Sequence, residues 1–335
     1  MKFSIFSVAD HYPGLSRPVG QLYDEVIAQC AQADALGFEA YFVAEHHFHE
    51  YGAIPNPAVA LAAMARASQR IRLGPAVSVL PFRDPRQVAE DYALLDQLSK
   101  GRLIMGVGSG YLKHEYDGFG IDGADKRLRF DEGLEIVRRL WSGERVSFAG
   151  DHYRLDEVAL NVLPWGGRMP EIYIASLRPE VAYWIGKAGN HIMTVPYASL
   201  DRFEEIGGLI GEYQRGLAEG GGETGGALVA LHTHVAESDE AVREQAAAAF
   251  DLYVETRLYA KSQTYDDVMA SGLALFGSVE TVVQKVVALH RMGVRHIMLL
   301  NNFGALDAGL VSASMTLFAR EVIPRARTLI EPADG

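Results

Sequence analysis

The chain has 335 residues, 49% of them apolar, enough for one barrel-sized core or two smaller ones. Its formal charge of -12 argues against nucleic acid or an anionic membrane surface as a partner. The only cysteine, Cys30, excludes an internal disulfide and fits a reducing cytoplasm, and no run of roughly 18 apolar residues signals a membrane span. The opening MKFSIFSVADHYPG is too short and too polar for a secretory signal.

Strand and helix alternate along the chain. Phe3 to Val8 predicts a first strand, and Leu22 to Leu36 a helix that closes at Gly37. Phe38 to Ala44 is a second strand, followed by an alanine-rich helix over Pro57 to Ser68 capped by Asn56. Ile71 to Val79 is a third strand. Asp84 and Pro85 then open a helix that ends near Lys100-Gly101. Leu103 to Val107 and Arg127 to Trp141 form the fourth unit, Ile172 to Ala175 and Pro179 to Lys187 the fifth, and His191 to Val195 with Asp201 to Leu217 the sixth. Leu228 to Val235 and Glu240 to Tyr259 make a seventh, and Val279 to Met292, Ile297 to Leu300 and Met315 to Ile323 an eighth. Such a succession implies an α/β fold, a single (β/α)8 TIM barrel spanning 1–335. Val146 to Leu155 reads as an inserted hairpin around Gly150-Asp151, and Gly220 to Gly226 as a flexible loop at the base of the seventh strand. No repeat or low-complexity tract interrupts the pattern.

The segment from Val43 to Asp122 is the most informative. Glu45, His46, His47 and His49 follow directly on the apolar run Ala40-Tyr41-Phe42-Val43-Ala44, so ionisable groups appear where a buried strand stops. In an α/β barrel that end carries the chemistry. A metal site is the competing reading, but adjacent histidines on an extended strand point to opposite faces, and no later His/Asp cluster completes a ligand set. The Gly106-x-Gly108-x-Gly110 run fails as a dinucleotide fingerprint, because the third glycine would be needed at position 111, which is Tyr111.

The stretches EHHFHEYG and LPFRDPRQVAEDYALLDQLSKGR, the glycine-rich turn after them, EIYIASLRPEVAYWIGKAG and LFAREVIP together resemble the bacterial luciferase-like flavin-dependent monooxygenases over nearly the whole chain. That resemblance implies a (β/α)8 barrel, usually dimeric, working on reduced FMN from a separate reductase and on O2. It implies oxygenation of a small, largely apolar organic substrate through a C4a-hydroperoxyflavin. A deazaflavin-using branch and an inert partner subunit share the fold and remain alternatives.

By the same resemblance His46 is the catalytic histidine, and proton handling near neutrality suits an imidazole. Glu45 is expected to hold it in place. Ala76-Val77 matches a non-prolyl cis peptide beneath the flavin ring. Luciferase has an arginine at the position of Ser109; here backbone groups of Ser109, Gly110 and Tyr111 would meet the phosphate, with Arg127 matching a phosphate-contacting arginine and Ser176 preceding a helix N-terminus. Arg178 is a further candidate cation. Tyr12, Phe48, Tyr51, Tyr111 and Tyr197 are expected to form an aromatic pocket. The helices Pro57–Ser68 and Pro85–Leu98 are expected to pair in a homodimer, with Glu90 and Asp91 resembling carboxylates of the luciferase interface.

Overall fold

The computed structural model describes residues 1–49, 52–222, 225–257 and 263–330. Tyr51, Tyr259 and the middle of the Gly220–Gly226 loop lie outside the described residues. The strands are β1 (Lys2–Ser7), β2 (Ala40–Val43), β3 (Arg72–Pro75), β4 (Ser78–Val79), β5 (Ile104–Gly108), β6 (Val146–Ala149), β7 (Arg154–Val158), β8 (Glu171–Ala175), β9 (His191–Thr194), β10 (Ala227–Ala236), β11 (Ala274–Ser278) and β12 (His296–Asn302).

Parallel pairing runs β3-β2-β1-β12-β10-β9-β8-β5-β4. β3 and β4 are two pieces of one stave, so this path of nine strands is a ring of eight staves; the Leu73–Leu103 bridge and the β4–β5 pairing close it. β2 and β5 are buried at every residue, as parallel strands sandwiched between core and helices must be. The caps follow local chemistry. Asn56 accepts from the amides of Ala58 and Val59, and Asp84 from Arg86 with Pro85 in the first turn. Cys30 is packing material, and burial pushes its thiol up to about 12.

Three departures from the sequence reading matter. The third stave, read as continuous to Val79, is interrupted between Pro75 and Ser78; the Ala76–Val77 peptide that interrupts it is cis, as the resemblance implied. A short helix, Lys113–Phe119, lies within what reads as a loop after the fourth stave. β11 was not anticipated at all: β10 is ten residues long, and its first half pairs with β12 while its second half, from His232 onward, pairs with β11. The strand that extends β10 has no stave position of its own, so counting eight units could not call for it. The hairpin β6–β7 is present as read, extended to Val158.

Candidate active site

The C-terminal ends of the staves open into a cavity of about 930 Å³. Phe6 and Val8 from the first stave, Ala44 after β2 and Met298 and Leu300 from β12 give it apolar lining, while Glu45, His46 and Glu115 supply ionisable groups. His46 is buried, and its Nδ1 lies 3.0 Å from Glu115 Oε1. The same oxygen accepts from the His47 amide at 2.9 Å, so the short Lys113–Phe119 helix pins the turn that carries both histidines. Gly52 completes the enclosure: a Cβ there would lie 2.7 Å from His46 Cβ, so only glycine lets the chain pass this close.

Glu45 does something other than expected. Its Oε1 meets His47 Nε2 at 3.1 Å and its Oε2 accepts from the Val79 amide at 3.2 Å. It therefore ties the end of β2 to β4, and the carboxylate on His46 is Glu115. Glu45 and His46 lie just past the end of β2, and their side chains take different partners although adjacent in sequence. Burial holds His46 below its ordinary value; the hydrogen bond and charge of Glu115 pull upward, and Arg257 pushes down. His46 is a neutral imidazole at pH 7, with Glu115 as acceptor selecting the tautomer that carries the proton on Nδ1.

Ala76, Val77, Ser109, Gly110, Tyr111, Arg127, Ser176 and Arg178 all line the same cavity. Their present partners differ from a simple phosphate cradle. The Ser109 carbonyl accepts from the Tyr116 hydroxyl, Arg127 pairs with Asp131 at 2.7 Å, and Arg178 pairs with Glu180 at 3.1 Å. The Ser176 hydroxyl caps its own turn, accepting from the Arg178 amide at 3.1 Å. The glycine run has a packing cause: a Cβ on Gly106 would lie 2.2 Å from the Pro75 carbonyl, so the third and fourth staves can approach only without one. Of the expected aromatic pocket, Tyr111 lines the cavity. Tyr12 is buried on Asp10, Tyr197 is buried behind the cavity wall, and Phe48, 64% exposed, packs on Phe119 outside it. Among the described residues no group of three or more His, Cys, Asp or Glu could hold a metal ion.

Residues 1–296 match the profile of the luciferase-like monooxygenases. The chain belongs to that family. It superposes on the crystal structure of monooxygenase RslO1 from Streptomyces bottropensis with a TM-score of 0.89 and 30% identity, over 97% of this chain and 99% of that one. It is 28% identical to the oxygenase component of flavin-dependent trigonelline monooxygenase from Acinetobacter baylyi, over 72% of this chain and 66% of that protein. It is also 34% identical to an F420-dependent glucose-6-phosphate dehydrogenase from Mycobacterium avium, over 50% of this chain and 51% of that one. The chain spans about half the length of the first curated relatives it matches, 58% and 42%. Proteins similar to this luciferase-like barrel thus include monooxygenases and dehydrogenases.

Glu115, Lys126 and Arg257 are cavity residues the sequence reading missed. Glu115 sits in KHEYDGF, whose acidic residue in the first turn of a short helix was the available signal. Arg257, just past a helix end, carried no comparable cue.

Proposed function

We propose that the chain is the oxygenase component of a two-component system, a single barrel domain that takes reduced FMN from a separate reductase and uses O2 to oxygenate a small, largely apolar organic molecule. The observation that carries this reading is the buried His46–Glu115 pair set in a cavity of about 930 Å³ with apolar staves beneath it and cations at its rim. The donor set suits a flavin phosphate: the Ser109–Tyr111 turn, the Ser176 hydroxyl and Lys126, Arg127 and Arg178 border one space, and Arg127 would exchange Asp131 for the anion. When bound, reduced flavin supplies the two electrons that send one oxygen atom to water while the other enters the substrate.

His46 then moves the accompanying proton. With Nδ1 donating to Glu115, Nε2 carries the ring lone pair, and the Glu115 carboxylate offsets part of the burial cost when a proton arrives there. Phe6, Val8 and Leu300 keep water from the reacting atoms. A second reading, deazaflavin-dependent hydride transfer, draws on Ser109, where luciferase has an arginine, and on the F420-dependent relatives.

Anaerobic titration with reduced FMN and with a reduced deazaflavin, followed by mixing with O2, tests the choice. The expected result is tighter binding of reduced FMN and an oxygen reaction whose kinetics differ from those of free flavin. Preference for the deazaflavin, or free-flavin kinetics, overturns it. We also propose a homodimer through the Pro57–Ala67 and Pro85–Ser99 helices. They pack on each other and leave Val59 and Leu94 67% and 53% exposed. Asp91 is held by Arg83 and Glu90 is exposed. A monomer by light scattering at micromolar concentration would count against this.

A further inference from the structure

The cavity that holds His46 has a second arm, between the helices Lys126–Trp141 and Ala182–Lys187. Glycines open it. A Cβ on Gly186 would lie 2.3 Å from the Tyr213 carbonyl oxygen, one on Gly216 2.0 Å from that of Tyr183, and one on Gly220 2.3 Å from that of Lys187. Backbone therefore packs on backbone between Ala182–Lys187 and the helix Glu205–Glu219, leaving a gap on the side of Lys126–Trp141. The arm follows one stripe of that long helix, Arg127, Phe130, Leu134 and Arg138, so Arg138 stands about 16 Å from Arg127 along the axis.

Arg138 is half-buried, and its guanidinium donates to a neutral acceptor, Asn190 Oδ1, at 2.5 Å. Among the described residues no carboxylate pairs with it. The four carboxylates of the cavity are engaged elsewhere: Glu45 by His47 and the Val79 amide, Glu115 by His46 and His47, Asp131 by Arg127 at 2.7 Å, and Glu135 by Arg139 at 3.8 Å. Burial accordingly lowers the Arg138 pKa with no neighbouring charge to oppose it. A partly dehydrated cation without a counter-charge carries a cost that an incoming anion offsets. In the same arm Trp184 lines the wall with 62% of its surface exposed, Tyr183 edge-on to it at 5.0 Å and the Lys187 ammonium 5.6 Å from its ring.

We propose that this arm is a second binding site, for an aromatic carboxylate, with the acid group on Arg138 and the Asn190 amide and the ring against Trp184 and Leu134. A planar guanidinium meets a carboxylate through two parallel hydrogen bonds, and such a site rejects a neutral isostere. The inference goes beyond the oxygenase reading and uses none of the residues assigned to proton transfer or to the cofactor phosphate.

The competing role for Arg138 is structural, a cation in the last turn that complements the helix end. Calorimetric titration of the full chain with 2-naphthoate and with neutral 2-naphthamide, with and without saturating FMN, separates the two. The wild type is expected to prefer the naphthoate by at least about tenfold, with or without FMN. Arg138→Met should abolish that preference while leaving naphthamide and FMN affinity within about threefold, and Arg138→Lys should retain part of it. Trp184→Ala should weaken both probes alike, by about threefold to tenfold. Equal binding of the two probes by the wild type, binding of neither, or an unchanged preference in Arg138→Met overturns the inference. So does loss of both probes in Arg138→Met, which would mark a structural role, and so does loss of FMN with the naphthoate or displacement of one by the other, which would assign the cation to the cofactor. An intact naphthoate preference in a protein that binds no flavin would instead sink the oxygenase reading and leave the acid site standing.

Discussion

Two buried imidazoles at the mouth of the barrel have opposite fates. His46, after β2, has a carboxylate on Nδ1 and a cavity beside it. His232, in β10, sits among Tyr197, Phe250, Tyr253 and Phe303, and neither of its ring nitrogens has a hydrogen-bond partner among the described residues. Burial lowers both, but only at His46 does a carboxylate oppose it. Histidine content alone therefore says little about a site; what separates the proposed proton carrier from a packing ring is the partner, and the partner comes from a different part of the chain.

The largest effect should come from removing the first imidazole. His46→Ala is expected to keep the fold and most flavin affinity while cutting oxygenation by about 10²–10⁴-fold, measured as product formed per reduced flavin. Wild-type turnover in that variant would break the comparison outright. The second imidazole should show itself in acid. Its folded pKa, about 3, lies below the unfolded value, so its contribution to stability is full above about pH 6.5 and is lost as pH falls towards 3. Denaturant titrations should show His232→Phe gaining about 3 kcal/mol on the wild type between pH 7 and pH 4. Parallel curves for the two proteins would mean that His232 finds a proton acceptor in the fold.

The partner itself supplies a smaller and sharper test. Glu115→Gln removes the charge that holds His46 up, so the acidic limb of the kcat/KM profile should move to lower pH and turnover should drop by about tenfold. Glu45→Gln should shift that limb less, because Glu45 contributes least among the charges acting on His46. A larger shift from Glu45 would restore the arrangement read from sequence. The smallest effect belongs to Gly52→Ala, whose Cβ would crowd His46; thermal unfolding should show a loss of about 1 kcal/mol, with a rise in KM or a fall in kcat only if the ring is displaced.

Legibility followed the range of the forces involved. The buried runs of β2 and β5, the caps at Asn56 and Asp84 and the turn at Gly37 were readable because strand burial and helix ends are governed by residues within a few positions. The same locality made the cluster Glu45-His46-His47 stand out at a strand end. The wrong partner was assigned to His46 for an equally plain reason: adjacency in sequence suggested Glu45, whereas the folded chain places that side chain on His47 and on the Val79 amide.

By itself, then, the sequence determined the alternation of strand and helix, the barrel, the family and the end of the barrel where the candidate site lies, all of which depend on local pattern. Only the tertiary structure decided that Glu115, 69 residues from His46, holds its ring, that Arg257 enters the cavity on a wall of tyrosines, and that β11 extends β10. Those contacts join segments far apart in the chain, and their geometry is set by which staves become neighbours when the ring closes.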